Sequence, residues 1–294
     1  MILPKIDSFS PQVRRLWQKL DPCTCCPRNC RVNRLAGETG YCGTGPLPVI
    51  SSAGPHFGEE SVLVGKDGSG TVFFTGCNLR CVFCQNYDIS RMRRGREISI
   101  DQLAQQFLSL QQSGCENINL VTPSHQAPAI AAALEKAKQD GLTVPVVYNS
   151  GGYDSVQTLD LLSGFIDIYM PDFKYSDPEI SARLSDAADY PDVCKKALGE
   201  MHRQVGELLI DKSGVAIRGL LVRHLVLPGD LSGSKEVLEF LAGRIWPSTA
   251  VNIMDQYRPC FHAARFEEIN TCPDYEIIKS LRQYARTLGL RILP

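Results

Sequence analysis

Cys77, Cys81 and Cys84 stand in a C-x3-C-x2-C spacing on the stretch Gly76-Cys77-Asn78-Leu79-Arg80-Cys81-Val82-Phe83-Cys84-Gln85-Asn86, directly after the apolar run Thr71-Val72-Phe73-Phe74-Thr75. Thiolates hold iron–sulfur clusters, and a [4Fe–4S] cube normally takes four of them. Three on one short loop leave one iron open to a ligand from outside, and an open iron is where chemistry can happen. The plainer alternatives are a zinc site short of one ligand, or three buried thiols. Structural zinc takes four ligands, commonly from paired C-x2-4-C units, so the three-cysteine loop fits a cluster better.

A second group lies upstream in Cys23-Thr24-Cys25-Cys26-Pro27-Arg28-Asn29-Cys30 and on to Gly37, Gly40 and Cys42. Taking Cys23, Cys26, Cys30 and Cys42 gives C-x2-C-x3-C-x11-C on a turn-rich segment, with Cys25 left over. Four thiolates suffice for zinc or for a second, fully ligated cluster, and spacing does not choose between them. Free thiols or loop disulfides are the alternative. Twelve cysteines in 294 residues, mostly in two groups, are too sparse for a disulfide-stapled secreted chain and point to metal in a reducing compartment. Cys115, Cys194, Cys260 and Cys272 are dispersed and read as core or surface thiols. The upstream segment has too few apolar residues to fold by packing alone, so residues 1–65 read as a small cysteine-rich metal-binding unit with its linker, and 66–294 as the main domain.

Both groups need a scaffold, and the remaining chain supplies one. Ser10 before Pro11 marks a helix start. Asp67-Gly68 marks a turn leading into the first strand, and the glycines at 65, 68 and 70 are not a phosphate loop, because no Lys-Ser/Thr follows and no helix opens there. His56 and Glu59 or Glu60 could line the mouth of a site, but a solvated loop is the better reading for them. After the cysteine loop, strand and helix patterns alternate: helix 99–113, strand 117–121, helix 127–139, strand 144–149, helix 155–162, strand 165–170, a long helical region 177–211, strand 220–227, helix 235–244, strand 250–254 and helix 274–288. Six βα units with continuous apolar strands imply a parallel sheet covered by helices, two strands short of a closed (β/α)8 barrel.

Barrel enzymes place their sites at the carboxyl ends of the strands. Those ends carry Thr122-Pro123-Ser124-His125, Asn149-Ser150-Gly151-Gly152, Met170-Pro171-Asp172-Phe173-Lys174, Arg223 with His224, and Gln256-Tyr257-Arg258. Asp172 and Lys174, two apart at a strand end, point to one side, while His224 takes the face opposite to Arg223. Arg91, Arg93, Arg94 and Arg96 form a basic run just after the cysteine loop. The formal charge of −1 gives no global argument for nucleic acid or an anionic membrane as partner. No apolar signal-type region opens the chain and no run of about eighteen apolar residues occurs, so a soluble cytoplasmic protein is expected.

The cysteine loop, with the aromatic Phe83 just before Cys84, resembles the radical S-adenosylmethionine (radical SAM) superfamily. Met170-Pro171-Asp172-Phe173-Lys174 matches the Met-x-Asp-x-Lys run of pyruvate formate-lyase-activating enzymes, and Arg223 to Gly229 resembles their Arg-x-Val-Val-x-Pro-Gly segment. Cys23-Thr24-Cys25-Cys26-Pro27-Arg28-Asn29-Cys30 is shared with uncharacterised iron–sulfur relatives of those enzymes. The resemblance implies an α/β fold, an open partial (β/α)6 TIM-like barrel of the radical SAM type with a small cysteine-rich N-terminal segment. It implies a [4Fe–4S] cluster on Cys77, Cys81 and Cys84, and SAM as the ligand of the fourth iron. It makes Phe83, Asn149, Met170, Asp172, Lys174 and Arg223 the expected SAM-side residues. Many relatives carry Gly-Gly-Glu after the second strand for the SAM amino group; this chain has Thr122-Pro123-Ser124-His125 there, with backbone carbonyls, Thr122 or Ser124 as substitutes.

The implied reaction is reductive cleavage of SAM to methionine and a 5′-deoxyadenosyl radical that takes hydrogen from a substrate, a protein or peptide, with a glycyl-radical enzyme as the candidate. A reduced flavodoxin or ferredoxin is the implied donor. The alternatives are a radical SAM enzyme modifying another peptide or a small molecule, and a non-catalytic iron–sulfur electron carrier, which would need neither Lys174 nor Arg223 at its strand ends.

Overall fold

The computed structural model describes residues 3–293. Helix α1 (Pro11–Gln18) starts where the sequence places it: the Ser10 side chain accepts a hydrogen bond from the Val13 amide, and Pro11 needs no amide partner in the first turn. Strand β1 (Val49–His56), the short helix α2 (Ser61–Val64) and strand β2 (Ser69–Phe74) follow. The cysteine loop leads into α3 (Tyr87–Ser90), then edge strand β3 (Arg96–Glu97). From there come α4 (Ile100–Gln112), β4 (Ile118–Val121), α5 (Ala127–Gln139), β5 (Val146–Ser150), α6 (Val156–Leu161) and β6 (Ile168–Pro171). The chain finishes with α7 (Pro178–Ser185), α8 (Tyr190–Val205), β7 (Leu209–Ile210), β8 (Ala216–Leu225), α9 (Ser234–Phe240), β9 (Ala250–Met254), α10 (Tyr275–Thr287) and β10 (Arg291–Ile292). The region read as one long helix, 177–211, is broken at Asp186, whose left-handed φ of 54° ends α7 and turns the chain into α8.

The sheet order is β10-β9-β8-β6-β5-β4-β2-β1-β3. The six strands read from the sequence, β2, β4, β5, β6, β8 and β9, run parallel to one another, and β10 extends the row in parallel. β1 adds to β2 antiparallel. The row does not close on itself, which makes the fold the expected open partial barrel of α/β type. Among the described residues no helix is long and apolar enough to cross a membrane.

Alternation along the strands sorts the side chains. Val72, Leu120, Tyr148, Tyr169 and Val222 face the helices in one large core, while Val147, Ile168, Met170, Leu221 and Ala250 face the other way. The inner set would leave apolar surface facing a hollow, and α2 helps fill it: Val62 and Leu63 join those five residues in one buried cluster. Helix α1 puts Val13, Leu16 and Trp17 into the large outer core, and Leu20 just beyond it joins them. Burying Leu16 alone is worth about 1.5–3 kcal/mol, so the first helix is held on the barrel by packing.

Candidate active site

The cysteine loop leaves the carboxyl end of β2 and is pinned from several sides. The amides of Arg80 and Val82 donate to the carbonyls of Ser185 and Leu184 at the end of α7, the His262 amide donates to the Val82 carbonyl, and the Asn78 side chain donates to the Tyr153 carbonyl at 2.6 Å. Each thiol already has a polar neighbour: the Leu79 amide donates to Cys77 Sγ at 3.4 Å, the Ser185 hydroxyl to Cys81 Sγ at 3.0 Å, and Ser90 Oγ lies 3.2 Å from Cys84 Sγ. Such donors support bound cluster thiolates. Burial, with the Cys81 thiol next in weight, pushes the Cys77 thiol up to about 12 and raises that of Cys84. Without metal these thiols keep their protons, so metal binding must displace them. The three thiols thus lie within electrostatic reach of one another. Three thiols on one loop, each with its own hydrogen-bond neighbour, are the donor set that a [4Fe–4S] cluster with one open iron would need.

Opposite the loop, β6 and β8 deliver a charged group. Met170, Asp172 and Lys174 share the inner face, and Asp172 is bridged in parallel to Arg223 on β8. Arg223 grips one Asp172 oxygen with Nε at 2.9 Å and Nη2 at 2.8 Å, and Lys174 Nζ takes the other at 2.5 Å. Arg223 Nη2 also donates to Asn149 Oδ1 at 2.7 Å. Burial by itself would raise the Asp172 carboxyl, but Arg223 and then Lys174 outweigh it and hold the group below its ordinary value. Burial would likewise lower the two cations, and Asp172 holds both above their ordinary values. Gly152, at φ +76°, makes room for this strand end: a Cβ there would lie 2.0 Å from the Asp172 carbonyl.

A cavity of about 210 Å³ lies between the two halves, lined among others by Cys81, Phe83, Cys84, Asp172, Lys174 and Arg223. Phe83 is buried and held edge-on by Tyr175 and Tyr257. Six residues that sequence reasoning named are therefore brought together. Asn149 stands behind Arg223, and Met170 lies one step deeper, in the apolar inner layer on α2. Gln256 lines the same cavity, while the Tyr257 hydroxyl is spent on the Ile269 carbonyl and Arg258 is exposed. His224 faces away from the cavity, as its strand position requires, bonding the Phe173 carbonyl at 2.6 Å and Ser234 Oγ at 3.0 Å. Of the substitutes for Gly-Gly-Glu, Ser124 is buried beside Asp154 and Tyr148, and His125 is buried with Nε2 on the Thr75 carbonyl at 2.8 Å.

Sequence reasoning ranked a place at the site mouth second for the acids before α2. Glu59 and Glu60 read as a solvated loop, but the N-cap position of α2 aims Glu60 up into the barrel: it is 8 % exposed, with Oε1 3.3 Å from Asn252 Nδ2 and 3.9 Å from Arg223 Nη1. Burial raises the Glu59 carboxyl above its ordinary value. Glu59, Glu60, Arg223 and Asn252 line a second cavity of about 370 Å³ that shares Arg223, Met254 and Gln256 with the first. Nothing local in Gly58-Glu59-Glu60 signals this, because only the closure of β1 against β2 brings that turn under β8 and β9.

The family described as the Radical SAM superfamily matches residues 71–241, from β2 through α9, and takes in the whole cysteine loop, Lys174 and Arg223. The chain belongs to the radical SAM superfamily. Membership implies an enzyme with a [4Fe–4S] cluster and SAM. The chain is 32 % identical over 279 residues to an uncharacterised protein of Methanocaldococcus jannaschii, covering 92 % of this chain and 76 % of that protein. It is 26 % identical over 196 residues to a pyruvate formate-lyase-activating enzyme of Clostridium pasteurianum, covering 65 % of this chain and 75 % of that one. A crystal structure of HydG, a maturase of the [FeFe]-hydrogenase, aligns at 13 % identity with a TM-score of 0.48, covering 73 % of this chain and 47 % of that one.

Proposed function

We propose that this radical SAM enzyme abstracts hydrogen from a protein or peptide substrate, in the manner of a glycyl-radical-enzyme activase. The observation that carries the reading is the shared cavity, with Cys81 and Cys84 of the three-cysteine loop on one wall and Lys174, Arg223 and Asp172 on the other. When bound, the cluster on Cys77, Cys81 and Cys84 and the SAM beside it would supply reductive cleavage of SAM to methionine and a 5′-deoxyadenosyl radical. The chain's own residues do the rest. Lys174 offers its ammonium to the SAM carboxylate, a charge-assisted contact of roughly 1.5–3 kcal/mol; Arg223 fixes Asp172, and Asp172 keeps Lys174 charged while the site is empty. Phe83, wedged between two tyrosines, sets the height of the loop over the cavity. The relative named as a pyruvate formate-lyase-activating enzyme supports the choice of a protein substrate, and a reduced flavodoxin or ferredoxin is the expected donor. Cys23, Cys26, Cys30 and Cys42 hold a separate metal site.

The test is anaerobic reconstitution with iron and sulfide followed by dithionite and SAM. Wild type should release 5′-deoxyadenosine, and Cys77→Ala/Cys81→Ala/Cys84→Ala should not. Equal release from both proteins removes the assignment; release without hydrogen transfer from any tested peptide, but with transfer from a small molecule, moves the substrate to that class.

A further inference from the structure

The charged groups of the barrel interior are unevenly matched. Asp172 has two cations of its own, and Arg282 turns its Nη2 to the Ile253 carbonyl at 2.9 Å and to Asp255 Oδ2 at 3.2 Å. Glu59 and Glu60, on the turn that passes under β8 and β9, are less well served, although their side chains are only 8 % and 5 % exposed. Among the described residues no lysine or arginine forms an ion pair with Glu59, whose Oε1 meets the half-exposed His56 ring at 3.2 Å. Glu60 Oε1 meets the neutral Asn252 amide at 3.3 Å and stands 3.9 Å from the Arg223 guanidinium, which Asp172 already holds. Glu60 Oε2 is buried with no hydrogen-bond partner among the described residues. At Asp172 two cations outweigh burial and keep the carboxyl low, whereas at Glu59 burial outweighs Arg223 and keeps it high. The pair of acids is short of positive charge.

A second observation comes from β4. Asn119 is fully buried on the inner face of the sheet, in register with Val147 of β5, which belongs to the inner layer. Its amide lies close enough to Glu59 to favour the ionised form, yet neither Nδ2 nor Oδ1 has a hydrogen-bond partner among the described residues. A buried amide with all its hydrogen-bonding capacity unused is rare in a folded chain, and this one stands beside the two acids. The acids open on the cavity of about 370 Å³, which shares Arg223, Met254 and Gln256 with the cavity at the cysteine loop. A single water fills about 30 Å³, so the space takes a group of several heavy atoms. Among the described residues its wall carries none of the cysteine loop. A SAM held between that loop and Lys174 would leave this second cavity free, with its contents next to the point where hydrogen is taken.

We infer that this second cavity binds an organic cation of the substrate, the ammonium or guanidinium of a basic peptide, with Glu60 and Glu59 as its counter-charge. The inference rests on the proposed peptide substrate and names its kind: one with a lysine, an arginine or a free amino end near the residue that loses hydrogen. Enclosed carboxylates attract a cation, repel an acidic side chain and gain nothing from an apolar one, so the two acids select as well as bind. Asn119 and Asn252 are the neutral groups beside them that supply further hydrogen bonds to the bound group.

The experiment titrates anaerobically reconstituted full-length protein, with SAM bound, by calorimetry against N-acetyl-lysine amide, N-acetyl-arginine amide, glycinamide, N-acetyl-norleucine amide and N-acetyl-glutamate amide. At least one of the cationic probes should bind about tenfold or more tighter than the norleucine and glutamate probes, and the tightest names the group. Glu60→Gln should erase that preference and Glu59→Gln should weaken it, while SAM affinity in the absence of probe stays. Equal or absent binding of all the probes, a preference for the glutamate probe, or a cation preference that survives in both variants overturns the inference. A loss of SAM affinity in Glu60→Gln as large as its loss of probe affinity would give the acids to SAM and overturn it as well. Should Glu60→Gln fail to fold, Glu59→Gln and the wild-type ranking decide. Wild type that cleaves SAM and takes hydrogen from a peptide without any cation preference would lose this inference and keep the proposed function; a cation preference lost in Glu60→Gln, with no SAM cleavage by wild type, would do the reverse.

Discussion

Asp172→Asn and Lys174→Met separate two roles that one ion pair could play. Asp172 meets two cations, so the three side chains together carry one positive charge in a site where each is less than one-fifth exposed. Lys174→Met leaves Asp172 gripped through both Arg223 nitrogens at 2.8 and 2.9 Å, a neutral pair, and should cost about 1 kcal/mol of stability. Asp172→Asn instead strands two buried cations against each other, with Glu60 no nearer to Arg223 than 3.9 Å. Removing one partner of a buried pair costs about 3–5 kcal/mol, which at about 2–4 °C per kcal/mol lowers the melting point by roughly ten degrees. SAM affinity should run in the other order: Lys174→Met loses a charge-assisted contact and weakens binding by about ten- to a hundredfold. Thermal melts without SAM and calorimetric SAM titrations of reconstituted protein read both quantities. A Lys174→Met variant as unstable as Asp172→Asn, or one that binds SAM as tightly as wild type, would refute the reasoning.

Burial holds folded His125 at about 4 against an ordinary value of 6.5. The unfolded chain therefore takes up its proton first, and stability should be whole above pH 6.5 and fall as pH drops towards 4, by on the order of 3 kcal/mol. Urea unfolding across that range should show a shallower slope in His125→Gln than in wild type; equal slopes count against it. Arg93, Arg94 and Arg96 are exposed, and Arg91 and Arg93 line the cavity that also holds Cys42 and Cys77. Arg94→Glu/Arg96→Glu should slow flavodoxin-driven SAM cleavage about tenfold at low ionic strength, fading with salt, and leave dithionite-driven cleavage alone; equal slowing with both reductants would remove the docking patch.

What the sequence determined by itself was everything with a local signature. The spacing of Cys77, Cys81 and Cys84, the aromatic Phe83, the cap at Ser10, and apolar runs long enough to read as buried parallel strands all follow from neighbours within one turn or one strand. Strand alternation put Asp172 and Lys174 on one side of their strand, and Arg223 and His224 on opposite sides of theirs. Tertiary structure decided the matters that depend on distant backbone. Asp172 faces two cations because β6 and β8 pair in one register, Glu60 is buried because β1 folds back on β2 and drives α2 into the hollow barrel, and Arg34 lies against His125 because the cysteine-rich turn closes over the end of β2. A charged side chain carries no mark in the sequence of whether it will be solvated or enclosed; that is set by which surfaces meet when the chain closes, and by the charge that the enclosed group then finds opposite it.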